Sequence, residues 1–359
     1  MKKIKISLTA LAILAAASCE TPYRMVTTLE RNGKVQREVY AFENGAFMKR
    51  NTLEKPFLFE LTPDWKFTRF DTAIEYNFFG EEKYAIAKVG KNAKSIEQYS
   101  KEIQCDKDKQ SYAAPEESLV KKFRWFYTRY SFKTVYKKLQ YELPVSIDDY
   151  LSKKEQILWT QGDMSNYKVQ NGLEMYQDLD KINDKFSEWM SRNYFETSFE
   201  SIRKMAIGYE LDTAKETIYE KIRETDEKSL DSPETICTVL DSFYQTTYFS
   251  QLYESNKETL KTDKEDEYPF LEHIFNTISY ELVIPGQLTK TNAPLIQSDT
   301  LIWKVDGMRL LFDDYVLSAE YRVANIWAFI VSGVVILIAV GSLGFLFFST
   351  RRISPRPKG

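Results

Sequence analysis

Along the first part of the chain apolar and polar positions alternate, a period of two that predicts β-strands. Met25 to Glu30 and Lys34 to Phe42 flank Arg31-Asn32-Gly33. Asn-Gly between two such runs is a strong hairpin signal, because the tightest turns need backbone with positive φ. Phe57 to Leu61 predicts another strand, closed by the turn Thr62-Pro63-Asp64. Trp65, Phe67, Phe70, Ile74, Tyr76 and Phe78 continue the β pattern, and Tyr84 to Val89 runs up to the polar break Gly90-Lys91-Asn92. Ser95 to Ile103 has the length of one short helix. Phe123 to Leu139 reads as a single long strand, because aromatic and β-branched residues fill both alternating sets. Its aromatic stripe suits the inner face of a core better than an open ligand groove.

From Ile147 to about Asn276 the period lengthens to that of a helix. Leu173, Tyr176, Leu179, Ile182, Phe186, Trp189 and Met190 recur every three or four residues and predict one apolar stripe. Phe195, Phe199, Ile202, Ala206 and Tyr209 extend it, and a further helix is expected over Thr213 to Glu227. Ser232-Pro233-Glu234 combines a capping side chain, a proline at the first helical position and an acid in the first turn. Asp148-Asp149 after Pro144 marks a helix start in the same way. Asp263, Glu265, Asp266 and Glu267 form a charge run between Thr262 and Tyr268, expected to be a solvated loop.

The β pattern returns at Tyr280 to Ile284, then after Leu288, at Leu301 to Val305 and at Tyr315 to Tyr321. The fold class expected is α+β. N-terminal and C-terminal β segments pack together, with a helical portion between them and one apolar helix at the end. Organisation follows the same breaks: a leader over 1–18, a β-rich region over 19–145, helices over 146–277, β over 278–324, a span over 325–348 and a tail over 349–359. Ile284-Pro285-Gly286, Thr291-Asn292-Ala293 and Leu301-Ile302-Trp303, placed just before an apolar span, resemble the membrane-proximal β domain of LppM-type bacterial lipoproteins. That resemblance implies an envelope role with lipid-like ligands and brings no catalytic residues.

The two ends speak to location. Lys2, Lys3 and Lys5 precede an apolar run from Ile6 to Ala17, and Ala15-Ala16-Ala17-Ser18 leads to Cys19. This pattern is similar to the lipobox of bacterial lipoproteins, in which the cysteine becomes the acylated N-terminus, although Ala16 stands where leucine is usual. Ala15 and Ala17 would also serve ordinary signal cleavage. Ile326 to Phe348 holds 23 uncharged residues, enough to cross a hydrocarbon core. Arg351, Arg352, Arg356 and Lys358 follow, so the positive-inside tendency places the tail in the cytoplasm and the body outside. A helical span points to the cytoplasmic membrane rather than the outer one.

Charge and composition narrow the partners. The chain carries −3 overall. Three positive charges sit in the leader and four in the tail, which leaves −10 on the body between Cys19 and Phe348. An acidic body of this kind is expected to bind no nucleic acid. With a single histidine, His273, chemistry that needs two imidazoles is excluded. Asp178, Asp180, Asn183 and Asp184 lack the glycine of a calcium loop and read as the wet side of a helix. No nucleophile elbow, phosphate loop or zinc motif occurs, so no catalytic, metal or cofactor residue is named and no cofactor is expected. Cys105 and Cys237 are the pair available for a disulfide in an oxidising compartment, which would stabilise by roughly 4–5 kcal/mol; two separate thiols are the alternative. The functional expectation is a membrane-anchored, non-enzymatic interaction module whose partners are the membrane and an envelope protein or lipid. A hydrolase using paired carboxylates and a lipid-binding module with an apolar cavity under the aromatic strand stand as alternatives.

Overall fold

The computed structural model describes residues 21–42, 56–105, 114–164, 171–226, 229–230, 232–267 and 276–352. The leader and Cys19 lie outside the described residues, as does His273.

The hairpin read from Asn32-Gly33 is present. Strand β1 (Thr21–Leu29) pairs with β2 (Val35–Phe42), and Gly33 takes φ +91° in the turn between them. β3 (Lys66–Phe78) and β4 (Glu81–Ala93) form a long second hairpin, and helix α1 (Ile96–Glu102) follows, capped by Ser95. β5 (Glu116–Phe123) and β6 (Tyr127–Tyr136) come next. Then the helices run: α2 (Lys153–Gln161), α3 (Gly172–Met205), α4 (Lys215–Asp226), α5 (Pro233–Tyr244) and α6 (Tyr248–Glu267). β7 (Asn276–Val283), β8 (Gln287–Thr291), β9 (Leu295–Gln297), β10 (Thr300–Asp306) and β11 (Tyr315–Ala324) lead to α7 (Ile326–Arg352).

These strands make two sheets, one ordered β3-β4-β2-β1-β7-β10-β9 and one ordered β5-β6-β11-β8. The expected union of the two β portions is therefore direct. β1 lies parallel to β7, from Thr21 opposite Asn276 to Thr28 opposite Val283. Parallel neighbours need a long crossover, and everything between β2 and β7 serves as that connection. The sheets face each other across a core in which Phe132 of β6 meets Tyr280 of β7 at 6.2 Å and Trp303 of β10 at 6.4 Å between ring centroids. The aromatic stripe is thus core only in part: Tyr130, Phe132 and Tyr136 of β6 are buried, whereas Phe123, Trp125 and Phe126 at its start are exposed.

Helix α3 joins two hydrophobic cores. Its first half contributes Ile182, Phe186, Trp189 and Met190 to the core of the sheets. Its second half contributes Phe195, Phe199 and Ile202 to a separate core with α4, α5 and α6. Helix ends are built as the local signals indicate. Ser152 and Glu155 form a capping box on α2, Asn171 caps α3, and Ser232 with Pro233 opens α5.

Several expectations are corrected. Residues 57–61 are bends and irregular chain rather than a strand, because Phe59 and Trp65 bury their rings against each other and Tyr99, with Phe57 half-buried beside them, instead of pairing in a ladder. The single strand over Phe123 to Leu139 is broken at Arg124-Trp125-Phe126 into the end of β5 and the start of β6. The acidic run is not a loop, since residues 262–267 continue α6; Lys and Glu are good helix formers. Leu173 and Tyr176 are not buried in the stripe of α3 but exposed, at 67% and 58%, because the first turns reach past the packed body.

The chain passes from the large sheet to the small one at Ile284-Pro285-Gly286. A Cβ on Gly286 would fall inside contact distance of the Arg322 carbonyl oxygen and within 3.0 Å of Val323 Cγ2. Backbone cannot yield as a flexible side chain does, so Gly286→Ala is expected to cost about 1–3 kcal/mol. The thermal midpoint in detergent should fall accordingly; an unchanged midpoint would show that the approach relaxes freely.

Candidate functional site

Two constellations stand out. The first is ionic and sealed. Val35, Arg37, Val39 and Ala41 share the inward side of β2, so strand parity carries Arg37 into the core, where its side chain is fully buried. Its guanidinium donates to both oxygens of Glu117 on β5, at 2.8 and 2.7 Å, and its Nε to Thr27 Oγ1 at 3.0 Å. Tyr280, Thr134 and Ser100 hydroxyls donate to the same carboxylate at 3.0, 3.3 and 3.2 Å. Tyr99 lies beneath the guanidinium at 4.6 Å. Burial alone would lower the Arg37 pKa, but the Glu117 charge and its hydrogen bonds outweigh that and hold it above the ordinary arginine value. Burial raises Tyr280, the nearby Glu117 charge adding to it. This cluster ties the sheets together with its oxygens saturated. A related group lies on the other face of the large sheet, where Arg24 donates to Glu281 at 2.7 and 2.8 Å and Tyr76 donates to the same carboxylate.

The second constellation is open and sits where the β body meets α7. Asn325 is its centre. Its backbone N–H donates to the Phe126 carbonyl at 2.9 Å, and its Nδ2 to the carbonyls of Arg124 and Trp125 at 2.7 and 3.1 Å. Its Oδ1 accepts from Thr128 at 2.9 Å, and its own carbonyl receives Ala328 N–H at 2.9 Å. One side chain therefore clasps the β5–β6 turn to the start of the apolar helix. Rings complete the contact. Phe123 stacks parallel on Trp327 at 6.3 Å, Trp125 meets Trp327 edge-on at 5.2 Å, and Phe126 lies 4.8 Å from Phe329. Trp125 Nε1 donates to Ser332 Oγ at 2.9 Å, a full turn and more along α7. Beside this junction a concavity of about 280 Å³ is lined by Arg31, Lys121, Thr128, Tyr130, Asn325 and Trp327. Val323, Ala324 and Ile326 complete its lining, so its surface is part cationic and hydroxylic and part apolar.

No family model and no curated protein matches the sequence. Among solved structures, the NMR structure of the folded domain of LppM from Mycobacterium tuberculosis is similar at a TM-score of 0.28 and 8% identity, covering 85% of this chain and 91% of that one. The likeness is a weak one, of fold alone. At that level it carries no function across.

The residues singled out in the sequence are not brought together. Cys105 packs at the edge of the sheet core, whereas Cys237 is buried in the helical core, and the two are not joined. Burial pushes the Cys237 thiol up to about 12, as expected of a small buried group rather than a nucleophile. Asp148 accepts from Gln156 Nε2 at 2.7 Å and lies in a single 3₁₀ turn capped by Ser146. Asp180 and Asp184 lie on the exposed side of α3. Among the described residues no group of three His, Cys, Asp or Glu side chains is placed to hold a metal ion. Sequence reasoning missed Arg37, Glu117 and Asn325. The parity of Arg37 among Val35, Val39 and Ala41 was a usable signal, because a cation on an inward face demands a partner.

Proposed function

We propose that this chain is a membrane-anchored envelope lipoprotein that acts as a non-enzymatic interaction module, presenting its helical portion to a partner. The observation that carries this reading is the exposed apolar helix α7 at one end of β11, with α3 attached near the other end. Ile326–Leu346 is long and apolar enough to cross a membrane, and apart from Ala328 none of it is buried within the protein. β11 delivers that helix from Ala324, while the start of β11 lies about 30 Å away at about 3.3 Å per residue. Near that far end, Phe312 packs on Phe186 and Trp189 of α3, at 6.1 and 5.5 Å. The first half of α3 is thus attached near the end of β11 far from the span, and the helical portion exposes Leu173, Tyr176, Ile207 and Phe243. The partner is an envelope protein or lipid, and the tail lies in the cytoplasm.

Acylation of Cys19 and passage of α7 through the membrane are tested together. Labelled palmitate should enter the protein and be lost in Cys19→Ala, while that variant still resists alkaline carbonate through α7. A cytoplasmic reporter should work after Gly359 and fail after Ala324. Photo-reactive groups at Leu173 and Tyr176 should give a discrete adduct with an envelope component. Reporter activity at both fusion points, or adducts from the β body alone, would defeat the reading.

A further inference from the structure

We propose that the tip of the β5–β6 hairpin, Phe123 to Phe126, enters the lipid bilayer beside α7, so that the β body is docked on the membrane at a fixed orientation. This rests on the reading of α7 as a span, and three independent observations carry it from there.

Depth comes first. The charge-free part of α7 runs from Ile326 to Thr350, about 37 Å of helix at about 1.5 Å per residue. A hydrocarbon core of about 30 Å leaves the span only about 7 Å of freedom to slide before Arg351 is drawn into it. Trp125 bonds to Ser332, which lies about 9 Å along the axis from Ile326. In every permitted register that contact is therefore at the hydrocarbon boundary or below it. The bilayer that holds the helix must also receive the hairpin.

Backbone satisfaction comes second. Chain that enters hydrocarbon must meet its polar groups from within the protein. The carbonyls of Arg124, Trp125 and Phe126 all receive Asn325 N–H groups, and Arg124 N–H donates to the Tyr127 carbonyl at 2.9 Å. An exposed turn in water has no such need, because solvent serves it equally well. Asn325 thus both caps the junction and serves all three carbonyls of the tip.

Chemistry comes third. Phe123, Trp125 and Phe126 remain 57%, 47% and 41% exposed even with their rings on α7. Lys121, Lys122 and Arg129 flank them on the same hairpin, Arg124 lies within the tip on a side chain long enough to reach back to the headgroups, and Arg31 and Lys121 line the adjacent concavity. Aromatic rings at the boundary with cations just above match an interface of apolar chains and phosphate headgroups. The body is acidic as a whole, yet this end of it is basic.

Full-length protein in vesicles of brominated phospholipid provides the test. Trp65, Trp189 and Trp303 are buried in the core and Trp159 packs half-buried on Phe186 of α3, so Trp327→Phe leaves Trp125 as the tryptophan at the junction. Its fluorescence should still be quenched, most strongly by bromines nearest the headgroups, and adding Trp125→Phe should remove that quenching. Asn325→Ala should reduce it while the chain still resists alkaline carbonate, because the hairpin is then unclasped. No quenching in a carbonate-resistant Trp327→Phe protein would overturn the proposal and leave the span standing. Release by carbonate would overturn both.

Discussion

Glu117→Leu is expected to lower stability by about 3–5 kcal/mol, the largest loss from a single polar position in this protein. Both side chains of the Arg37–Glu117 pair are fully buried between the sheets. Removing the carboxylate strands a guanidinium in the core and takes the acceptor from Tyr280, Thr134 and Ser100. The cost is chiefly that of the orphaned charge, not the net worth of the pair, since burial of both ions is itself expensive. Arg37→Met combined with Glu117→Leu should accordingly be more stable than Glu117→Leu alone. Thermal unfolding of the three proteins in one detergent decides this. A double variant no better than the single one would show that the hydrogen bonds of Glu117, rather than the stranded cation, dominate.

Trp189→Ala is expected to cost about 3–5 kcal/mol, as for other large rings removed from packed cores. Trp189 is 1% exposed, meets Phe186 and Phe312 at 5.6 and 5.5 Å, and donates from Nε1 to the Val145 carbonyl at 2.9 Å. It is therefore the chief fastening of α3 to the sheets. Because Phe195, Phe199 and Ile202 belong to a different core, the loss should be uneven. Amide exchange should accelerate around Val145, α2 and the first half of α3, with α4 and α5 keeping their protection. Uniform acceleration would mean that the two cores unfold as one.

The same division shows in what could be read from residues alone. The β1–β2 hairpin, the opening of α5 at Ser232-Pro233 and the length of α7 rest on signals that act over one turn or one strand. Each is present as expected. The junction site was half visible. The apolar helix that carries Trp327 and Phe329 was legible, but the partners of these rings on the β5–β6 hairpin were not, because Arg124-Trp125-Phe126 contains no turn-forming residue. The bonds that usually come from glycine or asparagine within a turn come here from Asn325, 201 residues from Arg124.

The sequence by itself determined the alternation of element types, the helix caps, the apolar C-terminal helix and the packing of the two β portions together. Tertiary structure decided where the ladders break, which rings are core and which are exposed, and how the buried charges are matched. Glu117 lies 80 residues from Arg37 and 163 from Tyr280, and no pattern within a strand encodes such a meeting. Local propensity reflects backbone and nearest neighbours only, whereas burying a charge or drying a turn depends on whichever partner the completed fold delivers to it.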